Sequence, residues 1–222
     1  KSILRFAKDL DKDLETLIQA LFFARWCNKQ ETLDDISTNI LSDPKKLRDL
    51  IQSNESWCNT TAYPVERAYW KEKEYSRADA AAILFFKIKE PLAKMIQHAD
   101  GNIIEATNSV NNKFKMSNDF PIFMAITDIA WFRPDIINPA SPVPTGIGAV
   151  AYMNRLQEYL CMDNHELTCN KMIELQKKYW PDAKREFHPI DIEYLSCECR
   201  KYHSYLNKTK LFEGKNIFTP KI

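Results

Sequence analysis

Val143-Pro144-Thr145-Gly146-Ile147-Gly148-Ala149-Val150 holds two of the four glycines in this 222-residue chain, and its reading decides the fold. A Gly-x-Gly pair followed by small residues marks the entry into a helix, whose first N–H groups have no carbonyl of their own to bond. With the positive end of the helix dipole they suit a phosphate oxygen, making Thr145, Gly146, Gly148 and Ala149 candidate phosphate ligands. The same glycines fit a tight turn where two helices approach closely. A lone Gly-x-Gly does not separate these readings.

Outward from this turn the chain reads as helices. Downstream, 146–161, 165–179 and 189–206 each carry a helical pattern. Upstream lies a connection marked by Pro134, Pro139, Pro142 and Pro144, preceded by helices expected over 120–132 and 102–110. Residues 77–98 form the most hydrophobic segment, expected as a central helix kinked at Pro91. The first 28 residues read as one amphipathic helix, with Ile3, Leu4, Ala7, Leu10, Leu14, Leu17, Ile18 and Leu21 at three- and four-residue steps. That run becomes apolar all round at 20–24, implying burial. A short helix is expected over 32–41, and Asp43-Pro44 is a cap and first-turn start for another through Ile51. Residues 53–76, aromatic, charged and broken by Pro64, predict a loop with a helical turn or two.

The expected architecture is therefore all-α, about nine helices in a single helical domain over 1–222, with a subdivision near 53–76 as the alternative and a basic tail over 207–222. Four glycines against eleven prolines favour this over a hairpin-rich β fold. Hydrophobic residues at 45% and charged residues at 27% argue against disorder. The net charge of +1 excludes wrapping of duplex nucleic acid by bulk electrostatics, so any such contact must be local. The six cysteines, with no signal peptide pattern, read as reduced thiols of a cytoplasmic protein. No apolar run approaches the roughly 20 residues that span a bilayer, so no membrane partner is expected. A start at Lys1 rather than Met points to a processed or trimmed N-terminus.

Three further segments bear chemistry. In 191–202, Glu193, Cys197 and Lys201 are four apart and share a helix face, with Glu198 beside them near Tyr194 and Tyr202. Such a stripe is either an acid–base site, with shifted titration if buried, or a solvated Glu–Lys face with a structural cysteine. Cys161-x3-His165-x3-Cys169 has helical spacing for zinc but lacks the usual Cys-x2-Cys knuckle, and no metal or cofactor is expected. Asp128 is a carboxylate inside an apolar helix, either a helix-capping or pairing residue or a functional acid kept near the core. The P-loop, the Rossmann fingerprint, the Gly-x-Ser-x-Gly elbow and the His-Glu-x-x-His pair are all absent from the sequence.

The 143–150 pattern has the form of a helix-hairpin-helix DNA-binding turn. In order, Phe23-Ala24-Arg25-Trp26-Cys27-Asn28, Ala62-Tyr63, Asp128, Gly146-Ile147-Gly148-Ala149 and Glu193-x3-Cys197-Glu198-x2-Lys201-Tyr202 resemble the α-glutamyl/putrescinyl-thymine pyrophosphorylases of phage thymine hypermodification. They also resemble the related helical domain of 5-hydroxymethyluracil DNA kinases. The resemblance spans roughly residues 15 to 205. It implies a helix-hairpin-helix DNA glycosylase-like arrangement, base flipping and a transferase activity in a phage-infected bacterial cell. In that reaction an amine, from an amino acid or polyamine, displaces pyrophosphate from activated 5-hydroxymethyluracil in DNA. It further implies that Arg25 and Asn28 bind pyrophosphate, that Tyr63, Cys197 and Tyr202 line the substrate, and that Thr145, Gly146, Gly148 and Ala149 hold DNA phosphate. Glu193 and Glu198 take the proton of the amine, Lys201 steadies the leaving group, and Asp128 is an active-site acid.

The family's N-terminal Asn-x-x-Arg-Glu-x-Asp-type motif is not found here. Two alternatives stand beside the transferase. One is a glycosylase-like base-excising hydrolase, for which Asp163 and Asp191 lie downstream of the turn. The other is a non-catalytic helical nucleic-acid-binding module.

Overall fold

The computed structural model describes residues 2–8, 13–59 and 67–207. Their elements are α1 Ser2–Lys8, α2 Leu14–Cys27, α3 Gln30–Asp34, α4 Thr38–Leu41, α5 Pro44–Ser53, β1 Arg67–Trp70, β2 Lys73–Ser76, α6 Arg77–Asp79, a π-helical stretch Ala80–Leu84, α7 Phe85–Gln97, α8 Ile103–Phe114, α9 Phe120–Phe132, α10 Val150–Leu160, α11 His165–Tyr179 and α12 Pro189–Leu206. Residues 77–97 run on without a break, so eleven helices form among the described residues, against the nine or so expected. The chain divides into two compact units, Lys1–Ser141 and Pro142–Ile222.

The first unit is built on α2. Every residue from Leu17 to Ala24 is buried, as the all-round apolar sequence requires. The one polar residue among them, Gln19, donates to the Leu41 carbonyl at 2.7 Å. α2 packs against α7 and α9, and Phe22, Trp26, Phe85 and Phe114 form its aromatic centre. Trp26 and Phe85 meet edge-to-face at 4.8 Å, the geometry the ring quadrupoles favour.

The expected single N-terminal helix is instead two. Asp13 takes an extended conformation and accepts from the Thr16 N–H at 2.8 Å, starting α2 afresh. The helix expected over 32–41 is likewise split into α3 and α4. The loop expected over 53–76 contains an antiparallel hairpin, with Arg67 opposite Ser76 and Trp70 opposite Lys73. Its two turn residues, Lys71 and Glu72, are both left-handed, the conformation that matches strand twist in a two-residue hairpin. The helix continues through Pro91, and the π-helical irregularity lies earlier, at Ala80–Leu84. Gly101 has φ +79° and accepts from Asn138 N–H at 2.9 Å, a turn that favours glycine.

The second unit is a packed trio, α10, α11 and α12. Its core is small: Ala149, Met153, Cys169 and Ile192, bordered by half-buried side chains such as Leu156, Phe187 and Leu195. Asn164 caps α11 by accepting from Leu167 N–H at 2.9 Å, and His188 with Asp191 forms a capping box on α12. No helix among the described residues is long and apolar enough to cross a membrane.

Candidate functional site

The Gly146–Gly148 turn does lead into a helix, α10, which begins at Val150. Residues 133–146 ahead of it are turns and irregular chain, not a helix. The glycine at 148 answers a packing demand: a Cβ there would lie 2.8 Å from Cys197 Sγ on α12. Arg200, one turn on, donates from Nε to the Gly148 carbonyl at 2.5 Å. Gly146 donates its N–H to Glu193 Oε1 at 3.2 Å. The Gly146 carbonyl in turn accepts from Ala149 and Val150 at 2.9 and 3.1 Å. Of the turn's donors, those of Ile147 and Gly148 have no partner among the described residues. The Ile147 side chain between them is 95% exposed.

Glu193 is buried, and burial pushes its carboxyl above the ordinary range, with the Gly146 N–H and the Lys201 charge pulling the other way. Glu198 does not join it. It faces an open groove of about 370 Å³ with Trp180, Phe187, Asp191, Tyr194 and Leu195, and pairs with Lys201. For Lys201, burial lowers the amine's titration while Glu198 raises it, and the net shift is upward. Tyr202 is half exposed, and Cys197 is half-buried against the turn. The 193–201 stripe thus splits into a buried half bracing the glycine turn and an exposed ion pair.

In the first unit, Arg25 and Asp128 find each other. Nε donates to Oδ2 at 2.6 Å and Nη2 to Oδ1 at 2.7 Å, a bidentate pair closed from solvent. Burial pushes the Asp128 carboxyl up, and the guanidinium opposes the shift. Asn28 is the left-handed C-cap of α2, its N–H on the Ala24 carbonyl at 2.7 Å, a position asparagine tolerates well. Tyr63 and residues 208–222 of the tail lie outside the described residues. Nothing matches this chain. That holds for protein-family models, for curated proteins and for solved structures alike. The site therefore stands on its own geometry.

Cys161, His165 and Cys169 do not form a metal centre, and among the described residues no group of three His, Cys, Asp or Glu is placed to hold one. Cys161 is exposed at the end of α10, whereas Cys169 is buried, its thiol pushed up to about 11 by burial and by the nearby Glu193 and Glu166 charges. His165 bonds Thr145 Oγ1 through Nδ1 at 2.9 Å and Asn154 Oδ1 through Nε2 at 2.8 Å. The sequence pattern offered His165 only a conceivable zinc role, with no metal expected. It had no signal for Asn154, because the link between α10 and α11 is tertiary.

Proposed function

We propose that the protein modifies bases in DNA, and that the Pro142–Ile222 unit holds the DNA backbone at the Gly146–Gly148 turn. In this reading an amine displaces pyrophosphate from an activated 5-hydroxymethyluracil base. Glu193, buried against the turn with its titration raised, accepts the proton released as the amine attacks. The observation that carries the proposal is the braced turn itself. Glu193 engages the Gly146 N–H and leaves those of Ile147 and Gly148 to a phosphate oxygen at the start of α10. A non-catalytic nucleic-acid-binding module is the second reading, favoured by the Arg25–Asp128 pair, in which the two side chains engage each other.

The phosphate contact is tested by charge at the turn's tip. Because the Ile147 side chain is 95% exposed, Ile147→Asp and Ile147→Lys alter the local field without touching the core. DNA affinity is expected to fall several-fold in the first and rise in the second, with the difference shrinking as salt is added. Equal affinities for both variants would remove the turn from the interface.

A further inference from the structure

Thr145, His165 and Asn154 come from three places in the second unit: the strand of chain before the glycine turn, the first residue of α11, and the second turn of α10. Their side chains form one line of hydrogen bonds through the imidazole, 2.9 Å on one side and 2.8 Å on the other. Asn154 presents its carbonyl oxygen, which can only accept, so Nε2 carries the ring hydrogen and donates. Neutral imidazole then offers a lone pair at Nδ1, and the Thr145 hydroxyl donates to it. This is the arrangement that activates an oxygen nucleophile: hydroxyl, base, and a third group fixing the base's tautomer. The backbone around it is anchored, since Asn164 caps α11 immediately before His165 and Gly146, next to Thr145, is bonded to Glu193. The N–H groups of Ile147 and Gly148, without partners among the described residues, lie two and three residues further along the same turn.

We propose that Thr145, His165 and Asn154 constitute a second site, a hydrolase of small acyl esters in which Thr145 is the nucleophile, His165 the general base and Asn154 the positioning residue. Thr145 Oγ1 adds to the ester carbonyl carbon as its proton passes to His165 Nδ1, and the carbonyl electron pair moves onto oxygen. Collapse of this adduct breaks the bond to the alcohol, which leaves with the proton from the imidazole. Water then adds to the acyl-threonine, yielding its proton to the same nitrogen. The second collapse releases the acid and restores the hydroxyl. Ester and water give acid and alcohol, with no further reactant. Small acyl groups are indicated because the site opens on the surface, where Asn154 is exposed and Thr145 and His165 are only half-buried. The inference does not rest on the DNA reading, and its probe contains no phosphate.

The test uses the full chain and p-nitrophenyl acetate. Nitrophenolate release above the buffer rate is expected, together with an acetyl group on the peptide that contains Thr145. Thr145→Ala and His165→Gln are expected to lower the rate by about a hundredfold, the scale of a lost nucleophile or base, while Thr145→Ser retains it. Asn154→Ala slows the reaction and Asn154→Asp restores it, since a carboxylate also accepts from Nε2; a merely structural asparagine would not show that rescue. Acetyl groups on lysines alone, or an unchanged rate in folded Thr145→Ala or His165→Gln, would overturn the proposal. Should either variant fail to fold, peptide mapping of the unaltered protein decides: acetyl-Thr145 supports the site and its absence refutes it.

Discussion

The two units treat their apolar side chains in opposite ways. In Lys1–Ser141 the large apolar residues turn inward: Phe22, Phe23, Trp26, Phe85, Phe114 and Phe123 are all essentially inaccessible. In Pro142–Ile222 the buried cluster among the described residues is small, centred on Ala149, Met153, Cys169 and Ile192, while Ile147, Tyr159, Tyr179, Trp180, Tyr202 and Tyr205 are left open to solvent. Among the described residues of the first unit, the buried Asp128 carboxylate is closed by Arg25 of the same unit. The second instead directs a buried carboxylate at the backbone of a turn. The first unit is closed on itself, and the second leaves a donor-bearing turn and large side chains accessible.

The largest expected effect breaks the closed side of this contrast. Asp128→Ala removes the bidentate acceptor of a largely buried guanidinium and is expected to cost about 3–5 kcal/mol in urea unfolding. Replacing both residues, Arg25→Met with Asp128→Leu, is expected to recover most of that loss, because two apolar side chains leave no charge to desolvate. If the single substitution were harmless, the pair would not be the sealed structural contact described above.

Next in size is Gly148→Ala. Its Cβ would meet Cys197 Sγ at 2.8 Å, and overpacking of this kind costs about 1–3 kcal/mol. Adding Cys197→Ala removes the obstructing sulfur and should restore the melting temperature. A double variant as unstable as the single would mean that glycine is required at 148 for another reason.

A smaller, pH-dependent effect belongs to Glu193. Folding raises its titration through burial, so the protonated form is the one the fold favours. Its contribution is full below the value of the unfolded chain and is lost as pH rises through the higher folded value. Glu193→Gln cannot ionise yet still accepts from the Gly146 N–H. Melting curves from about pH 4 to about pH 7 should therefore show the natural protein losing stability relative to the variant as pH climbs. The reverse trend would mean that the carboxylate is held ionised by its neighbours.

Much of the helical layout was legible because its signals are local. Helices at 120–132, 165–179 and 189–206 fall where the helical pattern places them. The hairpin at 67–76 was not, since its turn is Lys71-Glu72 where the usual Asn-Gly or Asp-Gly signal would stand. The division of the N-terminal helix turns on the Asp13 cap, which sits inside an otherwise continuous apolar pattern. At the candidate site, the spacing of Glu193, Cys197 and Lys201 correctly put them near one helix face. It carried no information on which would be covered by the glycine turn. The meetings of Arg25 with Asp128, of Glu193 with Gly146 and of His165 with Asn154 are products of tertiary packing, which spacing along a single helix cannot express.

The proposed base modification is measured by mass spectrometry of nucleosides from DNA bearing pyrophosphate-activated 5-hydroxymethyluracil, incubated with the protein and a panel of amino acids and polyamines. An amine-substituted thymidine with stoichiometric pyrophosphate release is expected, with loss of that product in Glu193→Gln, whose amide cannot take the amine's proton. No substituted nucleoside with any amine, or undiminished product from Glu193→Gln, would contradict it.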